Sequence, residues 1–341
     1  MTKVTYLFGA GASCHALPLA KDVKTSTGEI IGLSRALMTL ASVLSQEKDK
    51  LNPNTKAHHF CNTTIKQFEK LARESEEFNT VDTYAKYLFL NNESELSYLK
   101  ITLSKFFMLE QYAFRKFDKR YLVFLTTILN NFLFPDNINI LTWNYDFQLE
   151  IAASYFTKED FTSHSSGISV TSKHSPPLVS YFPPVGIRLG MHNTEYKVVH
   201  LNGIAGHYQR GNAFQNKLIY TDAGKDFIAA CNDISHTANQ SDDFLHFAWE
   251  NHPQSMMALE IAETIIQGTD ILIVIGYSFP FFNRNIDKKI FDVLKANPHL
   301  KIYYQDPVAD GSFLYSQFKI KDSTMIKQIK KVDQFFVPFE L

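Results

Sequence analysis

Cysteine is scarce in this chain. Only Cys14, Cys61 and Cys231 are present, and no two form a Cys-x-x-Cys. That spacing excludes a zinc ribbon and argues against a disulfide framework, while three scattered thiols suit a reducing compartment. An excess of one charge is missing too. Lys+Arg is 34 and Asp+Glu is 35, a formal net charge of −1, so the totals offer no basic surplus for nucleic acid. No apolar run approaches the roughly 18–20 residues of a membrane helix, and the opening MTKVTYLFGAG is too short for a signal peptide. The expectation is a soluble, cytoplasmic protein without membrane or direct nucleic-acid contact. There is no His-Glu-x-x-His, no P-loop and no Gly-x-Ser-x-Gly. His58, His59, His246 and His252 have no acidic or thiol partners at informative spacing, so no metal site is expected.

Apolar patterning, by contrast, is plentiful. Hydrophobic residues make up 45% of 341, enough for one large domain or two smaller ones. KVTYLF (3–8) reads as a short buried strand. NINILTW (137–143), KVVHL (197–201), DILIVIGYS (270–278) and LKIYYQD (300–306) come after it as further strands, with KLIYT (217–221) as one more candidate. Between the first two, GLSRALMTLASVLSQ, IKQFEKLARE, VDTYAKYLFLN and KRYLVFLTTILNNFLF carry apolar residues at helical spacing. Residues 31–134 therefore read as a helical insertion, as plain structural helices or as a docking surface. NYDFQLEIAASYF and SMMALEIAETIIQG are helical as well. Residues 157–194, rich in Ser, His, Pro and Gly, read as a long loop with a hairpin, a candidate lid. Strands alternating with helices predict an α/β fold, a Rossmann-like and mostly parallel sheet with helices on both faces. The expected domains are 1–30 with 135–310, the insertion 31–134, and a C-terminal segment 311–341 packed on the domain or used in assembly.

Four strand ends carry the chemistry, because ligands of open parallel sheets bind where carboxyl ends meet at a switch point. After the first strand come Gly9, Ala10, Gly11, Ala12 and Ser13. Glycines there allow a tight turn and close approach to a phosphate at the next helix N-terminus, or merely a tight turn. After the second come Thr142, Trp143, Asn144, Tyr145 and Asp146. Asn144 offers a donor and an acceptor for ribose hydroxyls or water, whereas Asp146 serves the site or starts the next helix. His200 ends Val198-Val199-His200 and is either a core residue or a base near neutral pH. Gly276, Tyr277 and Ser278 come after the strongest strand, with Asn283, Asn285 and Asp287 beyond; they suit an adenosine ribose or phosphate, or an ordinary turn.

In this order the four ends resemble the sirtuin-like (silent information regulator-type) NAD-hydrolase domains of bacterial antiphage effectors. GAGAS resembles the phosphate turn of that family, TWNYD its Thr-x-Asn-Tyr-Asp segment, VVHLNG its catalytic-histidine segment, and IVIGYSFPFFNRNID its adenosine-side segment. VDTYAKYLF is similar to a helix of the same branch. The likeness spans roughly residues 3–290 and implies catalytic roles for Asn144, at the nicotinamide ribose and attacking water, and for His200, as base. It implies NAD contacts for Gly9, Ala10, Gly11, Ser13, Thr142, Asp146, Gly276, Ser278 and Asp287.

Two departures bear on the chemistry. The four-cysteine zinc module of the family's deacylases cannot be built here, and Gly-Ile-Pro-Asp-Phe-Arg is replaced by Ala16-Leu17-Pro18-Leu19-Ala20-Lys21-Asp22. Both disfavour peptide deacylation and leave cleavage of the nicotinamide N-glycosidic bond. The resemblance thus implies an NAD glycohydrolase with NAD as substrate and no metal, a regulated effector of abortive infection. A homo-oligomer or a separate sensor or activator protein would switch it. A non-catalytic NAD or ADP-ribose sensor, an ADP-ribosyl transferase or deacylase, and an unrelated nucleotide-binding protein are the alternatives. A redox dehydrogenase is disfavoured because Cys14 stands at the third glycine position and Glu29, the nearest acid at ribose-binding distance, lies beside Gly28 in a loop-like stretch.

Overall fold

A computed structural model describes residues 1–21, 23–24, 30–130, 133–156, 181–183, 196–210, 213–215, 227–238, 245–308, 310–321 and 325–341. Two compact units are present. The first comprises Met1–Ser13, Asp118–Gly203 and Ala248–Leu341, the second Cys14–Phe117 and Ile204–Phe247. In chain order the strands are β1 (Val4–Phe8), β2 (Val23–Lys24), β3 (Ile30–Ile31), β4 (Ile138–Thr142), β5 (Tyr181–Phe182), β6 (Val198–His200), β7 (Tyr208–Arg210), β8 (Ala213–Gln215), β9 (Ile271–Ile275), β10 (Lys301–Gln305) and β11 (Met325–Ile329). The α-helices among the described residues are α1 (Leu33–Lys48), α2 (Lys56–Glu77), α3 (Val81–Asn91), α4 (Glu93–Met108), α5 (Lys119–Ile128), α6 (Gln148–Ser154), α7 (Phe227–Ala238), α8 (Pro253–Ile265), α9 (Arg284–Leu294) and α10 (Phe313–Phe318).

The first unit is built on a seven-stranded sheet in the order β5-β6-β4-β1-β9-β10-β11, and all its pairings are parallel. β1, β4 and β9 are buried along their whole length, which is why they read as near-continuous apolar runs, interrupted only by Thr5, Asn139 and Thr142, rather than alternating ones. Successive side chains leave opposite faces of a strand. On one face Leu7, Leu141, Val199, Leu272 and Ile302 join a core with Ala258, Ile290 and Leu314 of α8, α9 and α10. On the other, Tyr6 and Phe8 meet Phe124 of α5 edge-on, at ring-centroid distances of 4.8 and 6.0 Å. The sheet is thus covered by helices on both faces, a Rossmann-like α/β architecture.

Several expectations change. The helix α5 falls within the expected insertion 31–134 but belongs to the first unit, because its Tyr121, Phe124 and Leu125 are buried there. The helical unit closes at Phe117 and also takes in Ile204–Phe247, a tract expected in the Rossmann domain. Residues 311–341, expected to pack on the domain or to serve assembly, lie inside the first unit and supply α10 and the edge strand β11, one strand beyond LKIYYQD. Within the expected 157–194 loop, Tyr181–Phe182 pairs in parallel with β6; residues 157–180 and 184–194, and with them the expected hairpin, and KLIYT (217–221) lie outside the described residues.

In the second unit, α1 and α2 pack along each other, and α2 also contacts α3, α4 and α7. Helix starts are marked by side-chain caps that satisfy first-turn amides: Thr55 accepts from the His58 N–H, Thr80 from Thr83 and Asn92 from Glu95. No helix among the described residues is long and apolar enough to cross a membrane.

Candidate active site

Chain order and sheet order part company at β1. From it the chain steps out to β4 on one side and later returns to β9 on the other, so the carboxyl ends of β1 and β9 flank the switch point. The register aligns Phe8 with Thr142 and Ile275, and Thr142 with His200. The four strand ends singled out in the sequence are therefore neighbours on one edge.

The glycine turn differs from the expected phosphate cradle. The Gly9 N–H donates to the Ile275 carbonyl (3.0 Å), the Gly11 N–H to the Gly276 carbonyl (2.9 Å) and the Ala12 N–H to Gly9 (2.9 Å). A Cβ at Gly9 would lie 2.7 Å from the Gly276 oxygen, and one at Gly276 would lie 2.4 Å from the Gly11 carbonyl carbon. These glycines let two strand-end turns touch backbone to backbone, and Gly276 adopts φ +58°, where L side chains are strained. The turn leads into a single 3-10 segment, Ala10–Ser13, and not into the full helix whose dipole would favour a phosphate. Arg120 braces it from below. Its guanidinium donates to the Ala12 carbonyl (2.9 Å) and the Val332 carbonyl (2.9 Å) while paired with Asp118 at 2.6 Å.

Next to the turn lies a buried polar cluster. The Ser13 hydroxyl meets the Tyr121 hydroxyl at 2.9 Å and accepts from Asn144 Nδ2 at 3.3 Å, and it hydrogen-bonds the Asp146 carboxylate. A hydroxyl has one proton to give. With that proton on Asp146, Tyr121 and Asn144 are the donors to Ser13, and the Asn144 amide is held in one orientation. Thr142 Oγ1 accepts from the Asn144 N–H (3.1 Å), and Asp146 Oδ1 accepts from the Gln148 N–H (3.1 Å) at the start of α6. Both side chains thus shape the backbone around Asn144 and the start of α6. Complete burial pushes the Asp146 carboxyl up to about 6, against the Ser13 and Gln148 hydrogen bonds that pull it down.

His200 Nε2 lies 2.7 Å from Glu150 Oε1, and Nδ1 faces the Asn144 carbonyl oxygen at 3.4 Å. Burial lowers the imidazole pKa, but the charge and hydrogen bond of Glu150, with smaller help from the Asn144 carbonyl and Asp146, outweigh it and raise it. An acceptor opposite each nitrogen favours the protonated ring over the neutral one.

The residues expected on the adenosine side separate. Gly276 sits in the turn contact and Ser278 is exposed, whereas Asp287 is fully buried on α9 and accepts from the Tyr277 hydroxyl at 2.8 Å. Burial pushes its carboxyl up to about 8. Asn283 Nδ2 donates to the same hydroxyl at 3.1 Å, so both residues belong to a core network beneath the edge. Ala10 is half-buried at the turn.

The structure adds Glu150, Tyr121, Arg120 and Asp118, none of which the sequence marks. Glu150 sits in an amphipathic helix where a carboxylate reads as solvated, and Tyr121 as one aromatic among many; only the folded register brings them to Ser13 and His200.

Fold and site together define a Rossmann-like α/β protein with a buried histidine–carboxylate pair at the carboxyl edge of a parallel sheet. No protein-family model matches the chain, and no curated protein matches it in sequence.

Proposed function

We propose that the chain binds NAD across the carboxyl ends of β9, β1, β4 and β6 and hydrolyses its nicotinamide–ribose bond. Water replaces nicotinamide at the ribose carbon, so NAD⁺ and water yield nicotinamide, ADP-ribose and one proton. The observation that carries this reading is the convergence of Ser13, Asn144, Asp146, Glu150 and His200 in one buried cluster. Departure of neutral nicotinamide leaves positive charge on the ribose, and carboxylates fixed nearby favour that charge without reorganising. The Asn144 amide, held by Ser13, is suited to a ribose hydroxyl or the incoming water. His200 would take the proton once its ring is neutral. In this proposal the protein is a regulated effector of antiphage defence that depletes NAD when a partner or self-association activates it.

The taken amides of Gly9 and Gly11 and the doubly faced ring of His200 favour a second reading, a module that binds NAD or ADP-ribose without turnover. The two separate on incubation of the purified protein with NAD over a range of protein concentrations. The first predicts nicotinamide and ADP-ribose in equal amounts, falling on the order of 10²-fold or more in Asn144→Ala and His200→Ala. Saturable binding with no nicotinamide at any concentration supports the second.

A further inference from the structure

We infer that Glu150 is a positioning residue for His200, fixing the imidazole so that Nε2 keeps its proton and Nδ1 is the nitrogen offered at the Asn144 edge. This rests on the proposed glycohydrolase. The contact is 2.7 Å, and both side chains are almost wholly buried, 3% exposed for His200 and 2% for Glu150. Glu150 Oε2 is also buried and has no hydrogen-bond partner among the described residues. A carboxylate left half-satisfied in the interior is costly unless an adjacent group compensates it, and the ring of His200, at 2.7 Å, is the group in contact.

The placement comes from the chain itself. Asp146 accepts from the Gln148 N–H where α6 begins, so the segment that carries Asn144 and Asp146 also sets the first turn of the helix bearing Glu150. Among the described residues, the charged groups facing the imidazole are Glu150 and Asp146. On α8, the helix packed on β6, Ala258, Ile261, Ala262 and Ile265 are buried, while Glu260 is exposed and Glu263 half-exposed.

With Nε2–H held by Glu150, a neutral ring has its lone pair on Nδ1, and a proton taken there creates an imidazolium facing a carboxylate. A hydroxyl or water would displace the long 3.4 Å contact to the Asn144 carbonyl. The orienter–base relation is the general logic of histidine bases.

The test combines an NMR titration of ¹⁵N-histidine-labelled protein with nicotinamide release at varied pH, in wild type, Glu150→Gln and Glu150→Asp. Glu150→Gln removes the charge at constant shape. Its His200 midpoint should fall, the neutral ring should lose its preference for the Nε2–H tautomer, and the acid limb of kcat should move to lower pH. The plateau kcat should drop about 10- to 100-fold with KM for NAD unchanged. Glu150→Asp should restore part of the tautomer preference and of kcat. An unchanged midpoint and tautomer in folded Glu150→Gln overturns the assignment; if that variant does not fold, an Asp variant with a wild-type rate and profile overturns it. A wild type that binds NAD but releases no nicotinamide refutes the glycohydrolase instead, while the titration still decides the pairing.

Discussion

Gly276→Ala tests whether direct backbone contact joins the β1 and β9 turns. The residue has φ +58°, and an alanine held there costs about 1–2 kcal/mol. The larger cost is contact. The new Cβ would sit 2.4 Å from the Gly11 carbonyl carbon and 2.5 Å from the Ala12 nitrogen, both backbone atoms that no rotamer change can move. Relief requires the turns to part by about 1 Å. That breaks the 2.9 Å bond from Gly11 to Gly276 and stretches the 3.0 Å bond from Gly9 to Ile275, at about 1 kcal/mol each. The total is about 3–4 kcal/mol. Gly268 is the control, because it has φ +72° yet, among the described residues, nothing within 4 Å of an added Cβ, so its alanine variant should lose only the conformational part. Urea unfolding monitored by fluorescence gives both midpoints, with the slope m checked for constancy. Equal losses for the two variants would refute the claim that backbone contact between the turns holds the switch point closed.

Asp287→Asn should stabilise the protein in a pH-dependent way. Burial raises the Asp287 carboxyl to about 8 from its ordinary 3.8, so the folded state holds that proton longer than the unfolded chain, and Asp287 loses the protein stability as pH rises from about 4 to 8. Asparagine has no proton to lose; its advantage should be near zero at pH 4 and a few kcal/mol at pH 8, and a parallel pair of stability–pH curves would contradict it. Arg120→Ala should cost about 3–5 kcal/mol by leaving Asp118 buried without its cation. The double variant Arg120→Met/Asp118→Asn should recover part of that in a thermal melt, and a double variant as unstable as Arg120→Ala would count against the pair.

Much of the sheet is legible in the sequence because buried parallel strands leave a near-continuous apolar run: 270–278 contains β9, and 137–143 contains β4. VDTYAKYLFLN matches α3 residue for residue, since its spacing and the capping Thr80 agree. β11 escapes such a reading because an edge strand buries little; Met-Ile-Lys-Gln-Ile is mostly exposed or half-exposed and has no strong alternation. The unit to which α5 belongs is hidden too, because helical periodicity says which face is apolar, not what covers it. In the site, the neighbouring strand ends are legible, but the use of the Gly9 and Gly11 amides by β9 is not, because two distant turns meet only in the folded sheet. Asp287 carries a polar signal, but its buried hydrogen bond from Tyr277, whose hydroxyl also accepts from Asn283, is not legible in the sequence. Glu150 shows the same limit from the other side, since nothing local distinguishes a carboxylate that will meet a histidine 50 residues away.

The most direct measurement of the proposed activity is a crystal structure of His200→Ala, slowed enough to keep NAD whole, with NAD bound. The nicotinamide ribose is expected at the carboxyl ends of β4 and β6, with a hydroxyl within hydrogen-bonding reach of Asn144, and the adenosine toward β9. NAD bound away from this edge, or its nicotinamide end lying toward Ser278, would contradict the proposal.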